Sequence, residues 1–214
     1  MVSANPDKVA NGGFFSLFNL PPTIFKEDLL EKLGEVMTSV QANGFYIPSG
    51  YVYLGQFIAH DVSRLVSPGR MFVPALELIQ ERSSSLDLDS VYGGEHASAR
   101  VDVRTGKMKL GRTIDAETGQ WTSENDLPRA PCGAALIGDD RNDENLLVAQ
   151  LHVQFLKLHN HFVQQLHRDH PALSAQELFE QARLQTILHY QEIVLFDFLE
   201  TVIDPRVWRR VIAG

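Results

Sequence analysis

The feature that most constrains the fold is a helical repeat of apolar residues in the second half of the sequence. Apolar side chains recur at steps of three and four, at Leu147, Leu151, Phe155, Leu158, Phe162 and Leu166. Residues at this spacing share one face of an α-helix. The pattern therefore predicts a long helix that begins near Glu144 and packs into a mainly α-helical core.

Three more helices are predicted from apolar spacing and from start and stop signals. The first is expected over residues 23–40, with acids in its first turn, where the helix dipole favours them. The second is expected over residues 54–65. The last begins at a capping box of Ser174 and Glu177 and is expected to end before Pro205. Their apolar stripes are Phe25, Leu29, Leu33, Met37 and Val40, then Leu54, Ile58, Val62 and Leu65, then Leu184, Leu188, Leu195 and Phe198.

The segments between these helices have the composition of loops. Residues 1–22 are expected to form an irregular lead-in, and residues 71–131 are rich in Gly, Ser, Asp and Thr. A chain of 214 residues with 44% hydrophobic content suits one domain with a sizeable core. The expected architecture is therefore one mainly α domain with a long loop-rich middle region.

Charge and cysteine content exclude several classes of protein. The formal net charge is -8, and no cluster of Lys and Arg offers a surface for nucleic acid or for an anionic membrane. One cysteine, Cys132, rules out a disulfide within the chain. The first residues lack the pattern of a secretory signal, and no apolar run approaches about 18 residues. A cytoplasmic protein without a transmembrane segment is expected.

The helix predicted in the segment YVYLGQFIAHDVSRL carries three polar residues among apolar ones. Gln56 and His60 are four positions apart and share a face, whereas Asp61 points about 100° away. One helix is thus able to serve two sites at once. The alternative is a core histidine and amide that are satisfied by backbone carbonyls.

Two further polar clusters lie outside the helices. The segment IGDDRNDENL contains Arg141 and Glu144, and its alternative interpretation is a solvated cap of the long helix. The segment RSSSLDLDSVYG places oxygen-bearing side chains at alternate positions, as a loop around Ca²⁺ requires, although ordinary Ser and Asx turns share this composition. The oxygen-bearing residues are Ser83, Ser85, Asp87 and Asp89.

Two metal-dependent alternatives use the same histidines. The paired His60 and Asp61 are typical of all-α metal phosphohydrolases, in which His152 and His159 would supply further ligands. The HNH triplet at residues 159–161 is shared with a class of nucleases, but here it lies within a predicted helix of an acidic chain. Neither alternative explains the three polar clusters together.

Taken in order, the three clusters resemble the animal-type haem peroxidase superfamily. GQFIAHD resembles its distal-helix motif, LDLDSVYG its calcium loop, and GDDRNDEN with the following helix its catalytic arginine segment. The resemblance implies haem b and Ca²⁺ as cofactors. It places His60, Gln56 and Arg141 at the catalytic positions and Glu144 at a haem-attachment position. It assigns to calcium Asp61, Ser83, the carbonyl of Ser85, Asp87 and Asp89.

The implied reaction is the reduction of hydrogen peroxide with oxidation of a small donor. A neutral imidazole moves the proton between the two peroxide oxygens, a fixed guanidinium stabilises the departing hydroxide, and an amide holds a water or a small anion. These roles fall on His60, Arg141 and Gln56. A fatty-acid dioxygenase of the same superfamily, a metal phosphohydrolase and a non-catalytic calcium-binding remnant stay open as alternatives.

Two departures from the family pattern limit the resemblance. Ala59 stands where the family often has a first carboxylate for a haem ester, so only Glu144 is left for such a link. No histidine falls at the position of the proximal iron ligand, so the resemblance implies the N-terminal distal half of a larger domain. The expected partners are hydrogen peroxide, a reducing substrate, and a second copy or a missing C-terminal half.

Overall fold

The computed structural model describes residues 26–38, 47–66, 79–94, 97–115, 117–120 and 124–212. The chain divides into two compact units, residues 1–47 with 66–80, and residues 48–65 with 81–214. The predicted lead-in of residues 1–22 lies outside the described residues. The described part is mainly helical, as the sequence predicts, and its only strands are short.

The first unit contains one described helix. Helix α1, Glu27–Thr38, has Glu27 and Asp28 in its first turn. Leu29 and Leu33 of the predicted stripe are 53% and 54% exposed, so this stripe is not a buried face. The outer residues of the stripe, Phe25 and Val40, lie outside the described residues. In strand β1, Leu65–Val66, the first residue is assigned to the second unit and the other to the first, and strand β2, Ile79–Gln80, belongs to the first unit.

In the second unit, helix α2 is Gly50–Val62. It ends because Ser63 turns to an extended conformation, and the Ser63 hydroxyl donates to the Ala59 carbonyl at 2.6 Å. Leu65 was predicted on the apolar face of this helix, but it lies in strand β1. That prediction is wrong because the apolar spacing continues past the residue that caps the helix.

The middle region is mostly loops with short regular pieces, as expected. Helix α3, Asp89–Tyr92, and helix α4, Ala97–Arg100, have four residues each. Strands β3, Val101–Asp102, and β4, Lys107–Met108, pair antiparallel around a turn. Gly106 in this turn has a φ of +74°, and a Cβ there would lie 2.4 Å from the carbonyl oxygen of Ala175.

The long predicted helix is α5, Leu146–Asp169, and its N-terminus is capped by Asn145, whose side chain accepts from Val148 N–H at 3.0 Å. Its buried face is rotated from the predicted one, because Leu147 is 48% exposed whereas two histidines are buried. The buried residues of α5 are Val148, Ala149, His152, Val153, Phe155, Leu156, His159, Phe162, Val163 and Leu166.

Helix α6, Ala175–Ile193, begins with the predicted capping box. It continues through a π-helical segment, Val194–Phe198, into helix α7, Leu199–Val202. The helix ends at Val202, before Pro205 as expected, and Pro205 is the first residue of a further helix, α8, Pro205–Ile212. Proline suits a first helical position because that position needs no N–H donor.

The core of the second unit forms where α2, α5 and α6 meet. Phe57 is fully buried, stacks on Phe155 at 5.0 Å and meets Tyr190 edge-on at 6.1 Å. The π-helical segment places the ring of Phe198 against Gly55, where an added Cβ would lie 3.2 Å from the ring. The position of α2, and of its polar residues, is therefore fixed by aromatic packing.

Candidate functional site

Helix α2 places its three polar residues toward different neighbours. His60 is 8% exposed and Asp61 is fully buried, so these two lie in the interior, whereas Gln56 is half-buried. The side-chain oxygen of Gln56 accepts a hydrogen bond from Asn145 at 3.2 Å. Because Asn145 also caps α5, this bond ties α2 to the start of the long helix.

The ring of His60 is held by a residue that the sequence interpretation missed. Its Nδ1 lies 2.9 Å from Oδ1 of Asn142, and Nδ2 of Asn142 lies 3.0 Å from Nδ1 of His152. Asn142 and His152 are buried. Burial and the nearby charge of Arg100 lower the pKa of His152 to about 3, so this ring is neutral.

Asn142 and Arg141 belong to one 3-10 turn, Asp140–Asp143, which lies between the loop region and α5. The side chain of Arg141 contacts the C-terminal end of α2 and not the imidazole of His60. Its Nη2 donates to the carbonyl of His60 at 3.0 Å and to the carbonyl of Ser63 at 2.7 Å. A cation suits this position because the last carbonyls of a helix carry partial negative charge.

Asp139 holds Arg141 in place and was also missed. Its carboxylate accepts from Nε and Nη2 of Arg141 at 2.9 and 2.7 Å and from Nη2 of Arg82 at 2.8 Å, and Arg64 lies 3.3 Å away. Burial by itself raises the pKa of Asp139, but the hydrogen bonds of Arg141 and Arg82 hold it well below its ordinary value. The same bond to Asp139 raises the pKa of Arg141.

Asp61 faces the loop that the sequence suggested for calcium. Its Oδ1 accepts from the backbone N–H of Ser90 at 3.0 Å, and its Oδ2 from that of Leu88 at 3.2 Å. Leu86 and Leu88 have φ angles of 52° and 55°, in the left-handed region that side chains other than glycine rarely adopt. This strained loop is therefore folded around the carboxylate of Asp61.

The other acids of the loop behave differently from one another. Oδ1 of Asp87 is buried and has no hydrogen-bond partner among the described residues. Burial raises the pKa of Asp61, and the charge of Asp87 raises it further. Asp89 lies instead 3.6 Å from Nη1 of Arg82. Within the described ranges, no group of three or more His, Cys, Asp or Glu side chains is placed to hold a metal ion.

Ser83, Ser85 and Glu144 make few contacts. The backbone N–H of Ser85 donates to Oγ of Ser83 at 3.2 Å, which is the local bond of an ordinary serine turn. Glu144 is exposed at the end of the 3-10 turn, and Ala59 is exposed on α2. The resemblance assigns Asp61, Asp87 and Asp89 to one calcium site, and within the described ranges these acids do not form a three-residue group placed to hold a metal ion.

The remaining histidines do not form a metal centre in the described part of the chain. Nδ1 of His159 lies 3.1 Å from the hydroxyl of Tyr92, and Nε2 lies 3.0 Å from the carbonyl of Gly106. Burial lowers the pKa of His159 to about 4. The metal phosphohydrolase alternative needs His152 and His159 as further ligands, and within the described ranges neither belongs to a group of three or more side chains placed to hold a metal ion. His161, His167, His170 and His189 are exposed.

No helix in the described ranges is both long and apolar enough to cross a membrane.

Comparison with known proteins identifies similar sequences and folds. The sequence profile described as Animal haem peroxidase matches residues 62–212, more than half of the chain. Lactoperoxidase of Homo sapiens is 33% identical over 158 residues, which cover 61% of this chain and 21% of that protein. Dual oxidase 1 of Canis lupus familiaris is 27% identical over 129 residues, which cover 56% of this chain and 8% of that protein.

Solved structures of low sequence identity share the fold. A fatty acid α-dioxygenase of Oryza sativa superposes with a TM-score of 0.64 at 21% identity, covering 79% of this chain and 31% of that one. Peroxidase A of Dictyostelium discoideum superposes with a TM-score of 0.57 at 18% identity, covering 89% and 46%. The chain thus spans less than half the length of each of these proteins.

Proposed function

The chain belongs to the animal haem peroxidase family, and we propose that it carries the peroxide-facing side of a haem peroxidase site. The proposed reaction reduces hydrogen peroxide and oxidises a small reducing substrate. The observation that carries this proposal is the arrangement at the end of α2, where Asn142 holds the buried imidazole of His60 and the guanidinium of Arg141 binds the backbone carbonyl of the same residue. The Nη2 of Arg141 donates to the carbonyl of His60, and Asp139 fixes the guanidinium from the other side.

The side chains on α2 and the 3-10 turn fit the peroxide-facing side of a haem. A bound haem supplies the iron that binds peroxide and exchanges electrons with it. The donor set of an imidazole, an amide and a guanidinium suits the peroxide, at His60, Gln56 and Arg141. Nδ1 of His152 and both ring nitrogens of His159 contact other protein groups, so none of these three atoms would be free to ligate the haem iron.

Each of these residues has a separate task in the proposed reaction. His60 accepts the proton of one peroxide oxygen and returns it to the departing oxygen, a role that suits an imidazole because its ring is able both to take up and to release a proton. Arg141 offers fixed positive charge to the departing hydroxide. Gln56 holds a water or a small anion nearby without adding charge.

We also propose that Ca²⁺ binds between Asp61 and the loop of residues 83–89. The unpaired, buried Oδ1 of Asp87 supports this site, because a buried carboxylate oxygen without a donor fits a cation. The mutual repulsion of Asp61 and Asp87 fits it too, since a cation between them removes the repulsion. Ser83, the carbonyl of Ser85 and Asp89 would complete the oxygen ligands, with Asp89 leaving Arg82.

Reconstitution tests the haem proposal. The purified chain is titrated with haemin in the presence of 2-methylimidazole, which supplies an axial ligand on one face of the iron. We expect a Soret band, little peroxide consumption without the added imidazole, and more with it. His60→Gln should lower the rate about 100-fold or more, while His161→Gln, at an exposed position, should not. A chain that binds no haemin, or a His60→Gln variant as fast as the wild type, would refute the proposal.

A second candidate function is oxygenation of a fatty acid. It is favoured by the superposition on the Oryza sativa fatty acid α-dioxygenase, one structure of which contains palmitic acid. The two functions need different co-substrates. Oxygen uptake by the reconstituted chain with palmitic acid, in the absence of peroxide, would support the dioxygenase, whereas peroxide-dependent oxidation of a small donor would support the peroxidase.

A further inference from the structure

One buried amide lies between two imidazoles in the second unit. Oδ1 of Asn142 is 2.9 Å from Nδ1 of His60, and Nδ2 of Asn142 is 3.0 Å from Nδ1 of His152. The three side chains come from α2, from the 3-10 turn and from α5. The backbone N–H of Asn142 donates to the carbonyl of Asp139 at 3.1 Å, so the amide is attached to a fixed turn.

The hydrogen bonds of the Asn142 amide indicate which nitrogen of each imidazole ring carries a proton. With the amide oriented as in the structure, its oxygen accepts, so Nδ1 of His60 carries the proton donated to Asn142, and Nε2 is bare whenever the ring holds a single proton. An amide nitrogen only donates, so with the amide in this orientation Nδ1 of His152 accepts. The single proton of that neutral ring is then on Nε2, which is buried and has no hydrogen-bond partner among the described residues. Turning the amide over would reverse both assignments together.

We propose that Asn142 is a positioning residue that couples the tautomers of His60 and His152 and keeps Nε2 of His60 free of a proton. A bare Nε2 is the form of the ring that is able to take a proton from a peroxide. The role of this tautomer in catalysis rests on the proposed function. The tautomers themselves are a property of the folded chain and are measurable without haem.

The test is nuclear magnetic resonance of the chain labelled with ¹⁵N in its histidines, at a pH well above about 6.5, the ordinary pKa of histidine. Ring nitrogens with and without a proton have different ¹⁵N shifts and different couplings to the ring hydrogens. Signals of His60 are identified by their loss in His60→Gln. In the wild type we expect the proton on Nδ1 of His60 and on Nε2 of His152.

His159 provides an internal reference for the same spectra. Its Nε2 faces the carbonyl of Gly106 at 3.0 Å, and a carbonyl only accepts, so this ring should carry its proton on Nε2. Its Nδ1 then accepts from the hydroxyl of Tyr92 at 3.1 Å. This tautomer should be the same in every folded variant.

Two substitutions of Asn142 should change the positions of the ring protons in different ways. Asn142→Asp has only acceptors, so it should keep the proton on Nδ1 of His60 and move the proton of His152 from Nε2 to Nδ1. Asn142→Leu removes both hydrogen bonds, so the His60 proton should shift toward Nε2, the nitrogen that a free neutral imidazole ring of histidine prefers. Asn160→Asp is the matched control, because the Asn160 amide bonds only the backbone of Met108 at 2.7 and 2.8 Å. It should change neither ring.

A wild-type His60 with its proton on Nε2 would overturn the inference, and so would a His60 tautomer that Asn142→Leu leaves unchanged. If Asn142→Leu does not fold, the His159 reference signals are lost, and the wild type with Asn142→Asp decides the question. Failure of the chain to bind haemin would refute the proposed function but would leave these tautomers as they are. The two failures are therefore distinguishable.

Discussion

Replacement of Asp139 by asparagine tests whether one buried carboxylate holds the arginines of the site. The substitution keeps the shape of the side chain and removes its charge. The side chain of Arg82 is 5% exposed, and its nearest other acid, Asp89, lies 3.6 Å away, so the guanidinium would lose its close partner. Removing one partner of a buried ion pair costs about 3–5 kcal/mol. In a chain of this size that loss lowers the melting temperature by roughly 6–20 °C.

The neighbouring acid provides the control for this measurement, which follows thermal unfolding by circular dichroism. The Asp140 side chain is 81% exposed and pairs with Arg64 at 2.9 Å. Exposed pairs contribute at most about 1 kcal/mol, so Asp140→Asn should have little effect. Equal melting temperatures for Asp139→Asn and Asp140→Asn would refute the assignment of Asp139 as the anchor of Arg82 and Arg141.

The difference in stability between the wild type and Asp139→Asn should depend on pH. The pKa of Asp139 is held well below that of an unfolded aspartate, about 3.9. A carboxylate with a depressed pKa stabilises the fold at every pH above the unfolded value and loses this contribution as the pH falls toward the folded value. The difference in stability between wild type and Asp139→Asn should therefore be complete at pH 7 and should shrink below about pH 4. A difference that stays constant down to pH 2 would contradict the ionic origin.

Three further predictions concern the calcium loop, the core and haem attachment. Added calcium should raise the melting temperature of the chelated chain, and Asp87→Asn should abolish this rise whereas Asp169→Asn, at an exposed position, should not. Phe57→Ala removes a fully buried ring and should cost about 3–5 kcal/mol in urea unfolding, while Val52→Ala, at a 68% exposed position, should cost far less. Any haem that resists acid extraction should be released in Glu144→Gln, and retention in that variant would exclude an ester link through this carboxylate.

Local signals in the sequence predicted the local structure well. The capping box of Ser174 and Glu177 is confirmed because both of its hydrogen bonds join residues three positions apart. The long helix from residue 146 is confirmed for a similar reason, since its apolar period extends over many turns. The direction of each buried face was predicted less well. Leu184 and Leu188 are 58% and 54% exposed, because burial depends on which helices surround a face, and spacing does not contain that information.

The same distinction applies to the site. The segment around residue 141 indicated a functional arginine. Asp139, which holds Arg141, and Asn142, which holds His60, were not singled out. Asn142 lies 82 positions from His60 in the chain, and a single sequence contains no signal for a contact over that separation. His152 was considered only as a metal ligand, since an isolated histidine on a helix does not show that an amide binds it.

The contact between Gly55 and Phe198 has a consequence for how this chain varies during evolution. A side chain at residue 55 would meet the ring of Phe198 at 3.2 Å, and that ring is presented by the π-helical segment. A Cβ at residue 55 requires this ring to move by a few tenths of an ångström, so a larger residue there favours a smaller one at 198 or loss of the extra residue that creates the π turn. Homologous sequences should accordingly vary at these two positions together, and a deletion within 194–198 should accompany a larger residue at 55.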